Sequence, residues 1–164
     1  MPKVVLDTNI FVAGYLSKTK LGYPSQILQP WRNGEFTLVM SPQILEEIVA
    51  KLWEKSVPAE LLEELVFTIG QIALYIPGAY ETCRLNHVDP ADNKFLAAAL
   101  ESHADFIVSY DAKSILAMKH FHGTQMLLPE LFIRRSHFPS RHARNDLGSK
   151  SVQLIAQAGT TRMC

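Results

Sequence analysis

Residues 3–12 read K-V-V-L-D-T-N-I-F-V, and this stretch decides the fold. The apolar run Lys3–Leu6 is short and ends abruptly at a D-T-N triplet. A strand without polar alternation suits the interior of a parallel sheet, because helices cover both faces of such a sheet. A helix is predicted to follow, with Thr8 or Asn9 as its cap. The segment therefore predicts a buried parallel strand that leaves Asp7 at the edge of the sheet.

The same change from strand to helix recurs along the chain. Further strands are predicted at Phe36–Met40, Ala73–Ile76, Asp105–Ser109 and Thr124–Leu128. Helices are predicted at Ile10–Leu16, Ser25–Asn33, 42–55, 58–73, Ala91–Ser102 and 111–118, with a last one from Pro129 to about Arg135. Alternation at this spacing predicts an α/β fold with a central, mainly parallel sheet that is covered on both faces.

Length and composition indicate a single globular domain with a real core. The chain has 164 residues, of which 48% are hydrophobic and 20% are charged. Chains near 150 residues bury about 68–70% of their unfolded surface. No apolar stretch approaches the roughly 20 residues of a membrane span, and the N-terminus lacks a signal-peptide pattern. Because Cys83 and Cys164 form neither a metal motif nor a disulfide framework, we expect a cytoplasmic protein without a membrane association.

Charge is distributed unevenly although the formal net charge is zero. Residues 1–133 hold 10 Lys and Arg against 15 Asp and Glu, whereas residues 134–164 hold six basic residues against one acidic residue. We therefore divide the chain into a domain at residues 1–136 and a weakly structured basic tail at residues 137–164. Such a tail either follows a phosphate backbone or is simply a solvated chain end.

Carboxylates occur where four of the predicted elements meet one edge of the sheet. Asp7 follows the first strand, and Asp111 lies two residues beyond the strand that ends at Ser109. Glu47 lies in the second turn of one predicted helix and Asp92 in the first turn of another, and the N-terminal turns of such helices lie at the carboxyl ends of parallel strands. Carboxylates gathered so closely repel one another unless a cation lies among them, and Mg²⁺ and Mn²⁺ prefer oxygen ligands. The pattern favours a metal site.

Each of these carboxylates also has an ordinary structural explanation. Asp7 and Asp111 are suited to cap the helices that follow them, and Asp92 is placed to interact with a helix dipole. Glu47 is equally explained as an exposed residue of its helix. The ordinary explanations weaken when the residues are taken together, because capping does not require a carboxylate at every element.

Four motifs in order resemble the PIN-domain family, and more narrowly its bacterial VapC-related group of toxin components of toxin–antitoxin pairs. They are V-V-L-D-T-N-I-F-V, S-P-Q-I-L-E-E-I, D-P-A-D-N-K-F-L-A-A-A-L and A-D-F-I-V-S-Y-D. The resemblance covers about residues 3–133. It implies a three-layer α/β/α sandwich and a ribonuclease that depends on Mg²⁺ or Mn²⁺. The number of ions stays open.

The resemblance also implies roles for individual residues. The catalytic and metal-binding positions of the family fall on Asp7, Glu47, Asp92 and Asp111, and its supporting polar positions fall on Asn9 and Ser109. Ser109 stands where many relatives have Thr, and Tyr110 stands where a small residue is common. Tyr110 either narrows the cleft or stacks on a base. Near the acidic residues, Arg84, Lys94 and Lys113 either help to bind RNA or are ordinary solvated side chains.

The expected partners are RNA, a cognate antitoxin and a second copy of the chain. The apolar helices at 42–55 and 58–73 either supply a contact surface or cover the domain's own sheet, and both Trp31 and Trp53 are expected in the core. His120 and His122 are expected in a surface loop rather than at a zinc site.

Three other functional classes compete with a nuclease toxin. The first is a PIN-like module that binds RNA or protein without cutting, and the second is an RNA-processing nuclease without a toxin role. The third, a phosphoacceptor receiver domain, lacks the paired acidic residues expected after the first strand, since Asp7 is followed by Thr8 and Asn9.

Overall fold

The computed structural model describes residues 1–19 and 21–136. Within them a six-stranded sheet has the strand order β3-β2-β1-β4-β6-β5. The strands are β1 (Lys3–Leu6), β2 (Thr37–Met40), β3 (Leu74–Tyr75), β4 (Phe106–Val108), β5 (His120–Phe121) and β6 (Thr124–Leu127). All pair in parallel except β5, which pairs antiparallel with β6. The mainly parallel sheet predicted from the sequence is confirmed, and the predicted basic tail at 137–164 lies outside the described residues.

Helices connect the parallel strands. They are α1 (Thr8–Leu16), α2 (Tyr23–Arg32), α3 (Pro42–Glu54), α4 (Ala59–Ile72), α5 (Asn93–Ser102), α6 (Ile115–Met118) and α7 (Pro129–Ser136). The 3₁₀ turn Pro90–Asp92 leads into α5. The chain forms an α/β sandwich, since consecutive residues of β1, which point to opposite faces, are all buried: Val4, Val5 and Leu6.

Local capping explains most of the differences from the predicted boundaries. Asp7, rather than Thr8 or Asn9, caps α1, so this helix begins at Thr8 instead of Ile10. The helix predicted from Ala91 begins with a 3₁₀ turn, because the Asp89 side chain accepts the backbone N–H of Ala91 at 3.0 Å. Ser41 caps α3, since its side-chain oxygen accepts the N–H of Ile44.

The hairpin between β5 and β6 was not predicted, because β5 contains only two residues. His120 lies in β5 and His122 in the tight turn that follows, where its φ of 47° is in the left-handed region. The interpretation of this pair as a surface loop is wrong for His120, although both side chains are exposed.

The two tryptophans have opposite environments. Trp31 is 1% exposed and packs in the core with α1 and α3 residues such as Phe11 and Ile44. Trp53 is 64% exposed on the last turn of α3, so the prediction that it lies in the core is wrong. The helical periodicity of its neighbours did not reveal that α4 leaves this side of α3 uncovered.

Among residues 1–19 and 21–136, no helix has the length and apolar character needed to cross a lipid bilayer.

Candidate active site

The acidic residues come from separate elements that meet at the carboxyl edge of the sheet. Asp7 follows β1, and Asp111 lies just beyond β4, which pairs with β1. Asp92 ends the 3₁₀ turn before α5, and Glu47 lies on α3 directly after β2. The structure therefore brings the predicted residues to one side of the sheet. We name Asp7, Glu47, Asp89, Asp92 and Asp111 the acidic rim.

Asp7 is the deepest carboxylate of the acidic rim, with a relative exposure of 5%. Burial raises its pKa from 3.8 to about 6, and the negative charges of Asp92 and Glu47 raise it further, while hydrogen bonds from Ser109 and Asn9 oppose the shift. Asn9 donates its Nδ2 to Asp7 Oδ2 at 2.7 Å and its backbone N–H to Asp7 Oδ1 at 3.3 Å. Asp7 thus bears a charge that the surrounding protein does not fully compensate.

Ser109 links the deep and shallow ends of the rim. Its fully buried hydroxyl donates to Asp7 Oδ2 at 2.5 Å and accepts the backbone N–H of Asp111 at 2.8 Å. Asp111 in turn accepts the N–H groups of Lys113 and Ser114 at Oδ1, at 2.8 and 3.0 Å. These backbone donors, chiefly that of Ser114, lower the pKa of Asp111 below its ordinary value.

Asp92 lies between the other carboxylates. Its pKa is raised chiefly by burial and also by the charges of Asp89 and Asp111, whereas the Ser114 hydroxyl, which donates to Asp92 Oδ2, lowers it. Asp89, Asp92 and Asp111 each present a carboxylate oxygen, and these oxygens all lie within 4.8 Å of one another. A single divalent ion is able to contact oxygens at such separations.

Glu47 is paired with a cation of the protein itself. Its Oε2 contacts the Nζ of Lys94, and both side chains are partly exposed, at 25% and 21%. The Lys94 ammonium therefore offsets the negative charge of the rim at Glu47. A metal ion that binds Glu47 Oε2 would compete with Lys94 for this oxygen.

The other predicted site residues lie around the rim on more exposed positions. Lys113 and Arg84 are exposed, and Tyr110 is 42% exposed directly between Ser109 and Asp111. Burial raises the pKa of the Tyr110 hydroxyl. The position of Tyr110 beside the carboxylates is compatible with contact to a bound substrate.

The donor set fits a hard divalent cation. It consists of carboxylate oxygens, which Mg²⁺ and Mn²⁺ prefer. In addition, Asn9 Oδ1 is buried and has no hydrogen-bond partner among the described residues, although Asn9 Nδ2 is bonded to Asp7. An amide oxygen left without a donor beside a carboxylate with a raised pKa is the arrangement expected where an ion and its water ligands complete the site.

Two residues of the site were not identified from the sequence as part of the cluster. Asp89 was not among the predicted site residues, yet its carboxylate lies with those of Asp92 and Asp111. Ser114 was not singled out, yet its N–H and its hydroxyl contact Asp111 and Asp92 respectively. The D-x-x-D spacing of residues 89–92 was the available signal for Asp89, whereas nothing in the sequence around Ser114 indicated its contacts.

The fold and this edge define a class of protein: an α/β sandwich with a mainly parallel sheet and an acidic cluster beyond its central strands. The chain belongs to the PIN domain family, since the family model described as PIN domain matches residues 3–113.

The comparison with solved structures supports the same fold. One similar chain comes from a crystal structure described as VapBC2 from Rickettsia felis bound to a DNA fragment from their promoter. The TM-score is 0.53 at 16% sequence identity, and the aligned part covers 77% of this chain and 98% of that chain. No curated protein matches the sequence.

Proposed function

We propose that this protein is an endoribonuclease that hydrolyses phosphodiester bonds of RNA with the help of Mg²⁺ or Mn²⁺. The observation that carries the proposal is the acidic rim itself, in which buried Asp7 has a pKa raised to about 6 by burial and by the charges of Asp92 and Glu47. Membership of the PIN domain family supports a nuclease rather than another acidic-site enzyme.

Asp7, Asp92 and Asp111 would hold the metal, with Glu47 as a further ligand or as the base that orients water. A bound divalent ion supplies a nucleophile at neutral pH and stabilises the charge that develops on the attacking and leaving oxygens. Asn9 Oδ1 would accept a hydrogen bond from the attacking water and so orient it. The Ser109 hydroxyl is hydrogen-bonded to both the Asp7 carboxylate and the Asp111 backbone N–H, and so fixes their positions relative to each other.

Cations and an aromatic ring around the rim would bind the RNA. Lys94 and Lys113 are placed to offset the repulsion between the rim and phosphate, and Tyr110 offers a half-exposed ring for a base to stack on. Lys94 pairs with Glu47 in the absence of substrate and would exchange this carboxylate for a phosphate when RNA binds.

We further propose that the protein is the toxin of a type II toxin–antitoxin pair in the cytoplasm. The similar fold in a structure described as VapBC2 bound to a promoter fragment supports this role. The antitoxin would block the acidic rim with a peptide laid across the cleft. An RNA-processing nuclease without a toxin role is the second candidate, since nothing in the rim itself requires an antitoxin.

The remaining partner is a second copy of the chain, bound through what we name the α3–α4 face: Leu45, Val49, Trp53, Val66, Phe67 and Tyr75. Three of its rings are at least half exposed: Trp53 (64%), Phe67 (69%) and Tyr75 (50%). Since an aromatic side chain has about 150–250 Å² of surface, these three rings together expose roughly 300–400 Å² to water. This area is about half of the roughly 800 Å² that each partner buries in an interface of standard size.

Cleavage of single-stranded RNA by the purified protein tests the chemistry. Wild-type protein should cut a labelled RNA with Mn²⁺ or Mg²⁺ and stop cutting when EDTA is added, and Asp7→Asn should be inactive under all conditions. Absence of metal-dependent cleavage, or equal cleavage by Asp7→Asn, would favour a module that binds RNA or protein without cutting.

Growth of cells that express the chain alone tests the toxin role. We expect arrest with the wild-type chain and relief with Asp92→Asn, both at matched protein levels. Normal growth with an enzyme that is active in vitro would instead support RNA processing.

A further inference from the structure

A pocket adjoins the acidic rim between the start of α3, residues 78–86 and the first turns of α5. Its volume of about 350 Å³ lies within the roughly 300–1,000 Å³ of small-molecule sites. We name it the α5 pocket, and the lining residues used below are Gln43, Tyr80, Thr82, Asn86, Asn93 and Lys94.

The walls of the α5 pocket are held in place by hydrogen bonds. Gln43 Nε2 donates to the carbonyl of Gly78 at 2.9 Å, which ties α3 to the loop. Asn93 Oδ1 accepts the N–H of Leu85 at 2.9 Å, and Asn93 Nδ2 donates to Asn86 Oδ1 at 2.7 Å. A Cβ at Gly78 would lie 2.2 Å from Gln43 Oε1 and displace this amide, and the φ of 70° at Gly78 itself favours glycine.

The chemistry of the lining suits a nucleobase better than a phosphate. Tyr80 is 51% exposed and offers the face of a ring, on which a base is able to stack. Gln43, Asn86 and Thr82 provide neutral donors and acceptors of the kind that pair with base edges. A phosphate is disfavoured, because Glu81 also lines the pocket and opposes an anion.

One residue of the α5 pocket contacts the acidic rim. Lys94 lines the pocket, and its Nζ contacts Glu47 of the rim. Asn93 likewise follows Asp92 directly in the chain. A phosphate bound at the rim would therefore place the neighbouring nucleotide at the mouth of the pocket.

We propose that the α5 pocket binds the base of the RNA nucleotide next to the scissile phosphate and so sets the preferred cleavage sequence. The role in cleavage rests on the nuclease function proposed above. Tyr80 stacks on the base, and the side-chain amides of Gln43 and Asn86 distinguish one base from another.

Nucleotide binding without metal tests the pocket independently of catalysis. The side-chain amide signals of Gln43, Asn86 and Asn93 are followed by NMR while AMP, GMP, CMP and UMP are added separately in EDTA. We expect these amides to shift most with one of the four nucleotides. Tyr80→Ala should weaken that binding roughly 5- to 100-fold, as loss of a stacked base does, whereas Tyr80→Phe should preserve it, as should Phe67→Ala, which removes an exposed ring of the α3–α4 face. No amide shift with any nucleotide, or binding unchanged in Tyr80→Ala, would overturn the proposal.

Sequencing of the fragments from a randomised RNA pool tests the role in cleavage. Wild type and Tyr80→Phe should cut beside the same preferred base, and Tyr80→Ala should lose that preference while it still cuts. A preference retained in Tyr80→Ala would contradict the proposal. If wild type cuts no RNA but the amide signals shift, the nuclease function is contradicted and base binding in the α5 pocket is supported. If wild type cuts RNA but no amide signal shifts, the nuclease function is supported and base binding in the pocket is contradicted.

Discussion

The acidic rim and the α3–α4 face both include residues of α3, and each reduces the stability of the isolated chain for a different physical reason. Near the start of α3, Glu47 joins a cluster in which Asp7 is 5% exposed although it is charged. At the end of α3, Trp53 is 64% exposed although it is apolar. Buried like charges and exposed aromatic rings both reduce the stability of a monomer. A cation would therefore stabilise the first region, and an apolar partner would stabilise the second.

The largest effect expected at the rim is on catalysis. Asp92→Asn should lower the rate of Mn²⁺-dependent RNA cleavage at least about 100-fold, because loss of residues that merely orient metal ligands already costs 10–100-fold. Asp89→Asn should cost less than about tenfold, since Asp89 already accepts the N–H of Ala91 and asparagine retains this cap. Single-turnover rates at saturating Mn²⁺ measure both. Equal losses would show that Asp89 is as important a ligand as Asp92.

The second effect concerns the charge buried at Asp7, with metal removed. Its folded pKa of about 6 lies above the ordinary value of 3.8, so the charged carboxylate destabilises the folded protein fully above pH 6, and this cost disappears below about pH 4. The shift corresponds to about 3 kcal/mol. Asp7→Asn should therefore raise the melting temperature in EDTA at pH 8, with each kcal/mol of stability gained raising it by about 2–4 °C. At pH 4 the same substitution should leave the melting temperature unchanged.

Asp111→Asn is the matched control for that measurement. The pKa of Asp111 is lowered by the backbone N–H groups of Ser114 and Lys113, so its charge stabilises the folded state above the ordinary pKa. Removing this charge should lower the melting temperature at pH 8, opposite in sign to Asp7→Asn. If both variants are less stable than wild type, the rim is not under electrostatic strain and the argument for a cation weakens.

At the other end of α3, the expected effect is on assembly. Trp53→Glu should weaken self-association about 30-fold or more, because tryptophans at interface centres commonly contribute at least 2 kcal/mol. Light scattering across a concentration series measures the molecular mass. Leu21→Glu is the control, since Leu21 is 77% exposed outside the α3–α4 face. If the wild-type protein stays monomeric at every concentration, the proposed dimer is contradicted, and the antitoxin becomes the candidate partner of the α3–α4 face.

The order of elements and four of the five rim residues, all except Asp89, were predictable, because parallel strands bring the residues after β1 and β4 to one edge whatever the details of packing. The contacts within the rim were not. The hydrogen bonds of Ser109 and Ser114 depend on rotamers and on the loop after β4, which no sequence period encodes. Periodicity also failed at Trp53, because it identifies the apolar side of α3 but not how much of that side α4 covers.

The smallest expected effect tests the side chain that connects the rim with the α5 pocket. Lys94→Gln should change the free energy of unfolding by less than about 1 kcal/mol, since its ion pair with Glu47 is partly exposed. If Lys94 leaves Glu47 and binds an RNA phosphate when RNA is present, Lys94→Gln should bind RNA more weakly. The slope of the logarithm of the RNA-binding constant against the logarithm of salt concentration should then decrease in magnitude by about 0.7. Fluorescence anisotropy of labelled RNA with the inactive Asp7→Asn background measures this slope, with Lys55→Gln as the control. An unchanged slope would restrict Lys94 to pairing with Glu47, and the rim would then rely on the bound cation and Lys113 to attract the substrate.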